Sequence, residues 1–175
     1  MSSRSMRGSE LVHVAADRFR QNPLPLPVIR RFDFGRDVED VLRFQVEIYE
    51  TNFPGFRVTE SFLRDYRRQL KRASKMWTEG LFVLDEARRP RAFLWVGVIS
   101  TMINPAVGYV KNIYVDPDLR GAGWGRELLR VAENWARERG AAQVELDASL
   151  CNPEAVRLYE NAGYRTIRLR MSRNL

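Results

Sequence analysis

Apolar and polar positions along this chain follow two different periods, and the switches between them divide it into helices and strands. Apolar residues three and four positions apart predict helices, whereas short apolar runs bounded by turn residues predict strands. Residues 9–21 fit a short helix, and the alternating prolines of 22–27 predict an extended linker. We therefore divide the chain into a helix and linker at 1–27 and a folded domain at 28–175.

The predicted order within the domain is strand, two helices, three strands, helix, strand, helix and strand, which indicates a mixed α/β sheet. The first helix is expected to begin at an Asp37 cap and the second at a Thr59 cap. Pro153 follows Asn152 and is typical of a first helical position. A polar turn at 85–90 predicts a hairpin. The predicted strands are 28–32, 81–84, 92–100, 107–115, 144–148 and 164–171.

Composition restricts the chemistry that the chain can support. One cysteine, Cys151, excludes an intramolecular disulfide framework and a cysteine zinc site. The single histidine, His13, lies in the first segment, so we expect no histidine metal cluster and no Ser-His-Asp triad within one chain. There is no run of about 18 apolar residues that would span a membrane, and the N-terminus lacks the apolar stretch of a signal peptide. We therefore expect a cytoplasmic protein with no metal and no membrane partner.

The charge is strongly basic, with 29 Lys and Arg against 22 acids and a net charge of +7. The densest basic stretch, 57–75, holds seven bases and two acids. A solvated helix face is the favoured interpretation. Nucleic-acid binding is disfavoured, because no reading motif with exposed aromatic residues accompanies the stretch.

The sharpest local feature is a predicted strand that runs into a glycine-rich turn and then a helix. Residues 120–125 read Arg-Gly-Ala-Gly-Trp-Gly. Free amides and the dipole at a helix start favour an anion, and the guanidinium of Arg120 suits phosphate. The turn is neither a P-loop, since Arg-Glu follows Gly125, nor a dinucleotide fingerprint, since its glycines are each two apart. We predict a phosphate-binding turn.

This turn follows a strand that ends in Ile-Tyr-Val-Asp-Pro at 113–117, and the combination resembles the pyrophosphate loop of the GNAT superfamily of acetyl-CoA-dependent N-acetyltransferases. A second block at 152–164 resembles the family's Asn, Ala, Leu-Tyr and Gly-aromatic pattern. The resemblance covers about residues 28–171. It implies an α/β fold with a mostly antiparallel central sheet flanked by helices, and a V-shaped split between the two strands that hold the cofactor.

The resemblance also implies how acetyl-CoA is held. The backbone of 113–115 would bind the pantetheine arm, Arg120 and the amides through Gly125 would hold the pyrophosphate, and Asn152 would hydrogen-bond the arm. The cofactor-binding residues implied in this way are Ile113, Tyr114, Val115, Arg120, Gly121, Ala122, Gly123, Trp124, Gly125, Arg126 and Asn152.

Two catalytic residues follow from the same resemblance. Tyr159 stands at the family's tyrosine position, seven residues after Asn152, and would protonate the departing thiolate. Some members that acetylate protein N-termini carry a glutamate base five residues before this Asn; here the residue is Asp147. Its side chain is one methylene shorter, so a water relay is expected. The alternative for Asp147 is a strand-end carboxylate paired with an arginine.

The expected activity is transfer of acetyl from acetyl-CoA to a primary amine by direct attack in a ternary complex. The acceptor is a protein N-terminus, a lysine or a small amine; a polycation would need an acidic patch, for which the candidates are Glu47, Glu50, Glu60 and Asp65. The alternative is a non-catalytic CoA-binding or basic nucleic-acid-associated module. Only 11 residues follow Tyr164, so we expect an acceptor pocket that is open or is completed by the second chain of a homodimer.

Overall fold

The structure is a computed structural model that describes residues 26–169, 171 and 173; the predicted helix at 9–21 and linker residues 22–25 lie outside them. Its centre is a five-stranded sheet in which the strands are arranged in chain order. The strands are β1 (Val28–Arg31), β2 (Glu79–Glu86), β3 (Arg89–Ile99), β4 (Val107–Val115) and β5 (Val144–Leu146). Neighbours pair antiparallel except β4 and β5, which are parallel. The mixed, mostly antiparallel sheet is therefore confirmed.

Helices cover both faces of the sheet. They are α1 (Phe34–Asn52), α2 (Glu60–Ala73), α3 (Trp124–Arg137) and α4 (Pro153–Asn161), with a short 3-10 turn at Pro117–Leu119. α1 and α2 share one apolar core with Phe93 of β3, and α3 shares a second core with Leu94. The two cores lie on opposite faces because successive side chains of a strand alternate. No helix in the described part of the chain combines the length and apolar character needed to cross a membrane.

The start of α1 differs from the prediction. Asp33, not Asp37, caps the helix by accepting a hydrogen bond from the Arg36 amide at 2.9 Å. Asp37 lies in the first turn, is fully buried and accepts two hydrogen bonds from Arg30, at 2.6 and 2.8 Å. A buried carboxylate must be paired, and the ion pair with Arg30 of β1 therefore allows Asp37 to be buried. Thr59 caps α2 as predicted.

The predicted last strand, 164–171, is wrong in the residues that the structure describes. Residues 164–169 and 171 form no strand. The side chains of Ile167 and Leu169 are 67% and 76% exposed. Alternating apolar residues form a strand only where they can pair with a neighbouring strand and pack their side chains against a core. Here the neighbouring strand, β5, is only three residues long.

β4 and β5 pair over only three positions, and the predicted split begins where this pairing ends. Their ladder joins Gly108–Val110 of β4 to Val144–Leu146 of β5 and then ends. β4 continues to Val115, so its outer edge beyond Val110 has no neighbouring strand in the described residues. The β3–β4 register also shifts between Trp95 and Val96, which places a bulge in β4 at this point. The V-shaped split of the fold prediction is confirmed.

Candidate active site

The glycine-rich turn lies at the end of β4 and leads directly into α3. Gly121 and Gly123 have φ of 78° and 89°, which is a left-handed conformation that a side chain disfavours. Gly123 is the residue before the first turn of α3. The first amides of that turn have no carbonyl partner within the helix and face outward at its positive end. The turn predicted from the sequence therefore has the geometry of an anion site.

Arg120 is fixed at this turn on the side of α1. Its Nε donates to the Val115 carbonyl at 3.0 Å, and its Nη2 forms an ion pair with Glu47. The guanidinium lies 5.8 Å from the centre of the Tyr114 ring. Burial acts to lower the pKa of Arg120, but the hydrogen bond and the charge of Glu47, together with Tyr114 and Glu154, outweigh it and raise the pKa. The arginine stays charged beside the free amides.

Tyr114 connects the same glutamate to β4. Its hydroxyl donates to Glu47 Oε2 at 2.9 Å, and its ring stacks on Phe44 with centroids 4.4 Å apart. Burial and then the carboxylate of Glu47 raise the pKa of Tyr114. The side chains of Ile113 and Val115 pack on the opposite face against the α3 core. The side chains of residues 113–115 thus lie on the two faces of the sheet, and the backbone edge of these residues faces the split.

The start of α4 contacts both α1 and the glycine turn. Asn152 caps α4 by accepting from the Ala155 amide at 3.1 Å, and its Nδ2 donates to Asn52 Oδ1 at 3.3 Å. A Cβ built on Gly125 would lie 2.9 Å from Leu158 Cδ2, so α3 and α4 approach closely here. The two sequence blocks, 120–125 and 152–164, are therefore neighbours in space.

Tyr159 lies on α4, one residue after this contact. Its side chain is 9% exposed, and its ring centroid is 6.3 Å from that of Tyr164. Burial raises the pKa of Tyr159 to about 12. The hydroxyl has no hydrogen-bond partner among the described residues, so it is a neutral donor available to a ligand.

Asp147 follows the last residue of β5, and its carboxylate accepts from the Tyr109 hydroxyl at 2.7 Å. It is exposed to solvent. The hydroxyl of Tyr109 on β4 therefore contacts Asp147 across the paired end of the split.

The acidic residues considered as a patch for a cationic acceptor are each occupied by an arginine. Glu47 pairs with Arg120, and the other three pair along α1 and α2. These pairs are Glu50 with Arg57, Glu60 with Arg64 and Asp65 with Arg68. The patch is thus neutralised, and so are three of the bases that make 57–75 strongly basic. A fourth, Arg67, forms two hydrogen bonds of 2.7 Å with Glu39.

Sequence reasoning missed two bridges from α1. Glu47 and Asn52 contact Arg120 and Asn152, which lie 73 and 100 residues away along the chain. A third polar residue of α1, Gln45, is fully buried and accepts from Asn112 of β4 at 3.1 Å. Gln45 gave a signal, since it is a polar residue at helical spacing from the apolar Val41. Glu47 was expected only as an acid of a patch, and Asn52 gave no signal. Within the described residues, no group of three or more His, Cys, Asp or Glu is placed to hold a metal.

Comparisons with known proteins agree with this arrangement. The model of the acetyltransferase (GNAT) family matches residues 43–164. A mycothiol acetyltransferase of Thermobispora bispora is 32% identical over 152 residues, which are 81% of this chain and 50% of that protein. An uncharacterized N-acetyltransferase of Methanocaldococcus jannaschii is 28% identical over 133 residues, 73% of this chain and 56% of that protein. The chain thus spans about half the length of these relatives.

The fold is also found among solved structures. A tetramutant of the BH1408 protein of Bacillus halodurans superposes with a TM-score of 0.75 at 22% identity, over 85% of this chain and 99% of that one. This likeness concerns the fold alone. The family match over residues 43–164, which covers more than half of the chain, shows that the chain belongs to the GNAT acetyltransferase family.

Proposed function

We propose that this protein transfers the acetyl group of acetyl-CoA to a primary amine by direct attack in a ternary complex. The observation that carries the proposal is the close packing of α3 on α4 at Gly125 and Leu158. It brings an anion-binding turn next to the helix that carries a buried, neutral tyrosine. The family generally uses acetyl-CoA, and N-acetyltransferase and mycothiol acetyltransferase are the names of the two relatives.

The residues around the split fit the cofactor. Gly121 and Gly123 adopt positive φ without a Cβ in the turn, and Arg120 brings a fixed positive charge to it. Asn152 uses Oδ1 as a helix cap and one Nδ2 hydrogen for Asn52, so its second Nδ2 hydrogen is a donor for the pantetheine arm. The remaining members of the proposed set are the backbone of Ile113, Tyr114 and Val115 and the amides of Ala122, Trp124, Gly125 and Arg126. When bound, acetyl-CoA supplies an acyl group already activated as a thioester.

Tyr159 is the proposed proton donor to the thiolate of CoA. A leaving thiolate is stabilised by a hydrogen bond from a neutral hydroxyl and is neutralised by its proton. Because burial raises the pKa of Tyr159 to about 12, the hydroxyl holds its proton throughout the physiological range. After its proton passes to the thiolate, the phenolate regains a proton from solvent water before the next turnover.

Asp147 is the proposed base, and it acts through a water molecule. The attacking amine must be neutral and loses one proton as the amide forms. A carboxylate at the end of β5 accepts such a proton by way of water, since Asp147 is exposed and is oriented by the Tyr109 hydroxyl. One proton leaves the amine on this side and one reaches the thiolate on the other, so the reaction balances.

The acceptor is proposed to enter past the turn between α1 and α2, which is aromatic. Tyr49 contacts Phe53, Phe56 and Phe62 with ring centroids 5.6, 6.1 and 4.6 Å apart. Phe53 is 55% exposed and directly follows Asn52, the residue that contacts Asn152. With the neighbouring acids already paired to arginines, these rings favour amines that carry an apolar group over polycations.

A panel of amines tests the proposal. Release of CoA is followed with a thiol reagent, and the acetylated amine is identified by mass. The panel pairs 2-phenylethylamine with ethanolamine, and an N-terminal peptide with spermidine. We expect CoA release coupled one-to-one to amide formation, with the highest kcat/KM for phenylethylamine. Absence of amine-dependent CoA release across the panel would contradict the proposed activity.

A further inference from the structure

Helix α1 contacts three parts of the chain that are proposed to hold the cofactor, namely β4, Arg120 and the loop before α4. Gln45 binds Asn112 of β4, Glu47 binds Tyr114 and Arg120 at the pyrophosphate turn, and Asn52 binds the loop before α4. These residues lie on both sides of the split between β4 and β5. A single rigid helix therefore spans the split and connects its two sides.

At the pyrophosphate end, the contact orients Arg120 and leaves part of it free. Of the five N–H donors of the guanidinium, Nε serves the Val115 carbonyl and Nη2 serves Glu47. The Nη1 hydrogens have no partner in the described residues. Glu47 is itself held by the Tyr114 hydroxyl at 2.9 Å, and Tyr114 is held by its stacking on Phe44. The arginine is thus fixed in one place before a phosphate arrives.

At the other end, Asn52 fixes the loop that carries Asn152. Its Nδ2 donates to the Ile48 carbonyl at 2.7 Å, which leaves Oδ1 free to accept from Asn152. The Ser149 hydroxyl donates to the Asn52 carbonyl at 2.9 Å. Two bonds from one residue of α1 therefore set the position of the loop between β5 and α4.

We propose that Glu47 and Asn52 are positioning residues for cofactor binding: from one helix, Glu47 orients Arg120 for the pyrophosphate and Asn52 orients Asn152 for the pantetheine arm. The inference rests on the proposed function, because it takes these two residues as cofactor contacts. Orienting binding groups in advance removes an entropic cost from association. The two residues act at opposite ends of the same ligand, so their effects are separable.

Two ligands separate them. CoA carries both the pyrophosphate and the pantetheine arm, whereas ADP carries a pyrophosphate and no arm. Dissociation constants are measured for both with wild type, Glu47→Ala and Asn52→Leu. Glu47→Ala is expected to weaken CoA and ADP alike, by about tenfold, the value of one charge-assisted hydrogen bond. Asn52→Leu is expected to weaken CoA by about fivefold and to leave ADP unchanged.

The matched control is Glu39→Ala. Glu39 lies on the same helix and also holds an arginine, Arg67, but it faces α2 and not the split. Circular dichroism verifies that each variant is folded. Glu39→Ala is expected to bind both ligands as the wild type does; an equal loss there would attribute the effect to the helix as a whole and overturn the proposal.

The remaining outcomes are also decisive. Unchanged or tighter CoA binding in Glu47→Ala would mean that the glutamate competes with the ligand for Arg120, which contradicts a positioning role. Equal weakening of ADP by Asn52→Leu would contradict the assignment of Asn52 to the arm. Wild-type protein that binds neither ligand would contradict the proposed function itself, and this inference with it.

Discussion

Replacement of Tyr159 by phenylalanine removes a single oxygen from the proposed reaction centre. The ring keeps its packing at 6.3 Å from Tyr164. Because the hydroxyl has no partner among the described residues, the substitution breaks no hydrogen bond to that part of the chain. The free energy of unfolding should therefore change by less than about 1 kcal/mol.

The effect on turnover should be much larger. A positioned general acid contributes about 100- to 10,000-fold in rate, which corresponds to about 3–5 kcal/mol of transition-state stabilisation. With the carboxylate and turn intact, Tyr159→Phe should lower kcat by that factor. The KM for acetyl-CoA should stay near the wild-type value, because the hydroxyl acts on charge that develops only as the thiolate leaves.

The assay is steady-state CoA release at saturating acceptor, compared with Tyr164→Phe. Tyr164 is the neighbouring tyrosine, and its hydroxyl donates to Glu133 of α3 at 3.2 Å rather than facing a ligand. The control should lose about 1 kcal/mol of stability and keep its kcat. An unchanged kcat in Tyr159→Phe, or an equal loss in Tyr164→Phe, would refute the donor role.

Three further expectations concern pH and stability. Because the pKa of Tyr159 is raised to about 12, its acid form persists as the pH rises. We therefore expect kcat/KM to increase as the amine loses its proton, with no decrease until the pH exceeds about 11. A decrease in kcat/KM near about pH 9 in a stopped assay would contradict this. Gly80→Ala places a Cβ 2.6 Å from the Trp135 ring and should lower the free energy of unfolding by about 2 kcal/mol in a urea titration. An unchanged free energy of unfolding would contradict this and would show that the ring shifts to make room. Asp37→Ala removes the buried carboxylate that accepts two hydrogen bonds from Arg30, which keeps its pair with Asp85, and should cost about 2 kcal/mol by the same titration; a cost below about 1 kcal/mol would show that the pair adds little.

Local signals in the sequence predicted most of the fold. Thr59 and Asn152 cap helices with their own side chains, and the apolar stripe of α3 repeats at helical spacing. Such features depend on neighbours three or four residues away, so the sequence displays them directly. The choice between Asp33 and Asp37 as the cap depended instead on Arg30 and on burial, which no local pattern reveals.

The site divides in the same way. The glycine turn and the block around Tyr159 are continuous in sequence and were both predicted as cofactor-related, while their contact at Gly125 and Leu158 needed the fold. The bridges from α1 join residues 73 and 100 positions apart, beyond the reach of periodicity. The prediction of the final strand failed for a related reason. Alternating apolar residues indicate a strand, but a strand forms only when a neighbouring strand is available for pairing.

Calorimetric titration with acetyl-CoA tests the central claim most directly, using the wild type and Arg120→Ala. We expect one molecule bound per chain, with binding at least about tenfold weaker in the variant, because Arg120 holds a phosphate in a turn of fixed amides. Equal affinity in the two proteins, or no binding by the wild type, would contradict the placement of the cofactor at this turn.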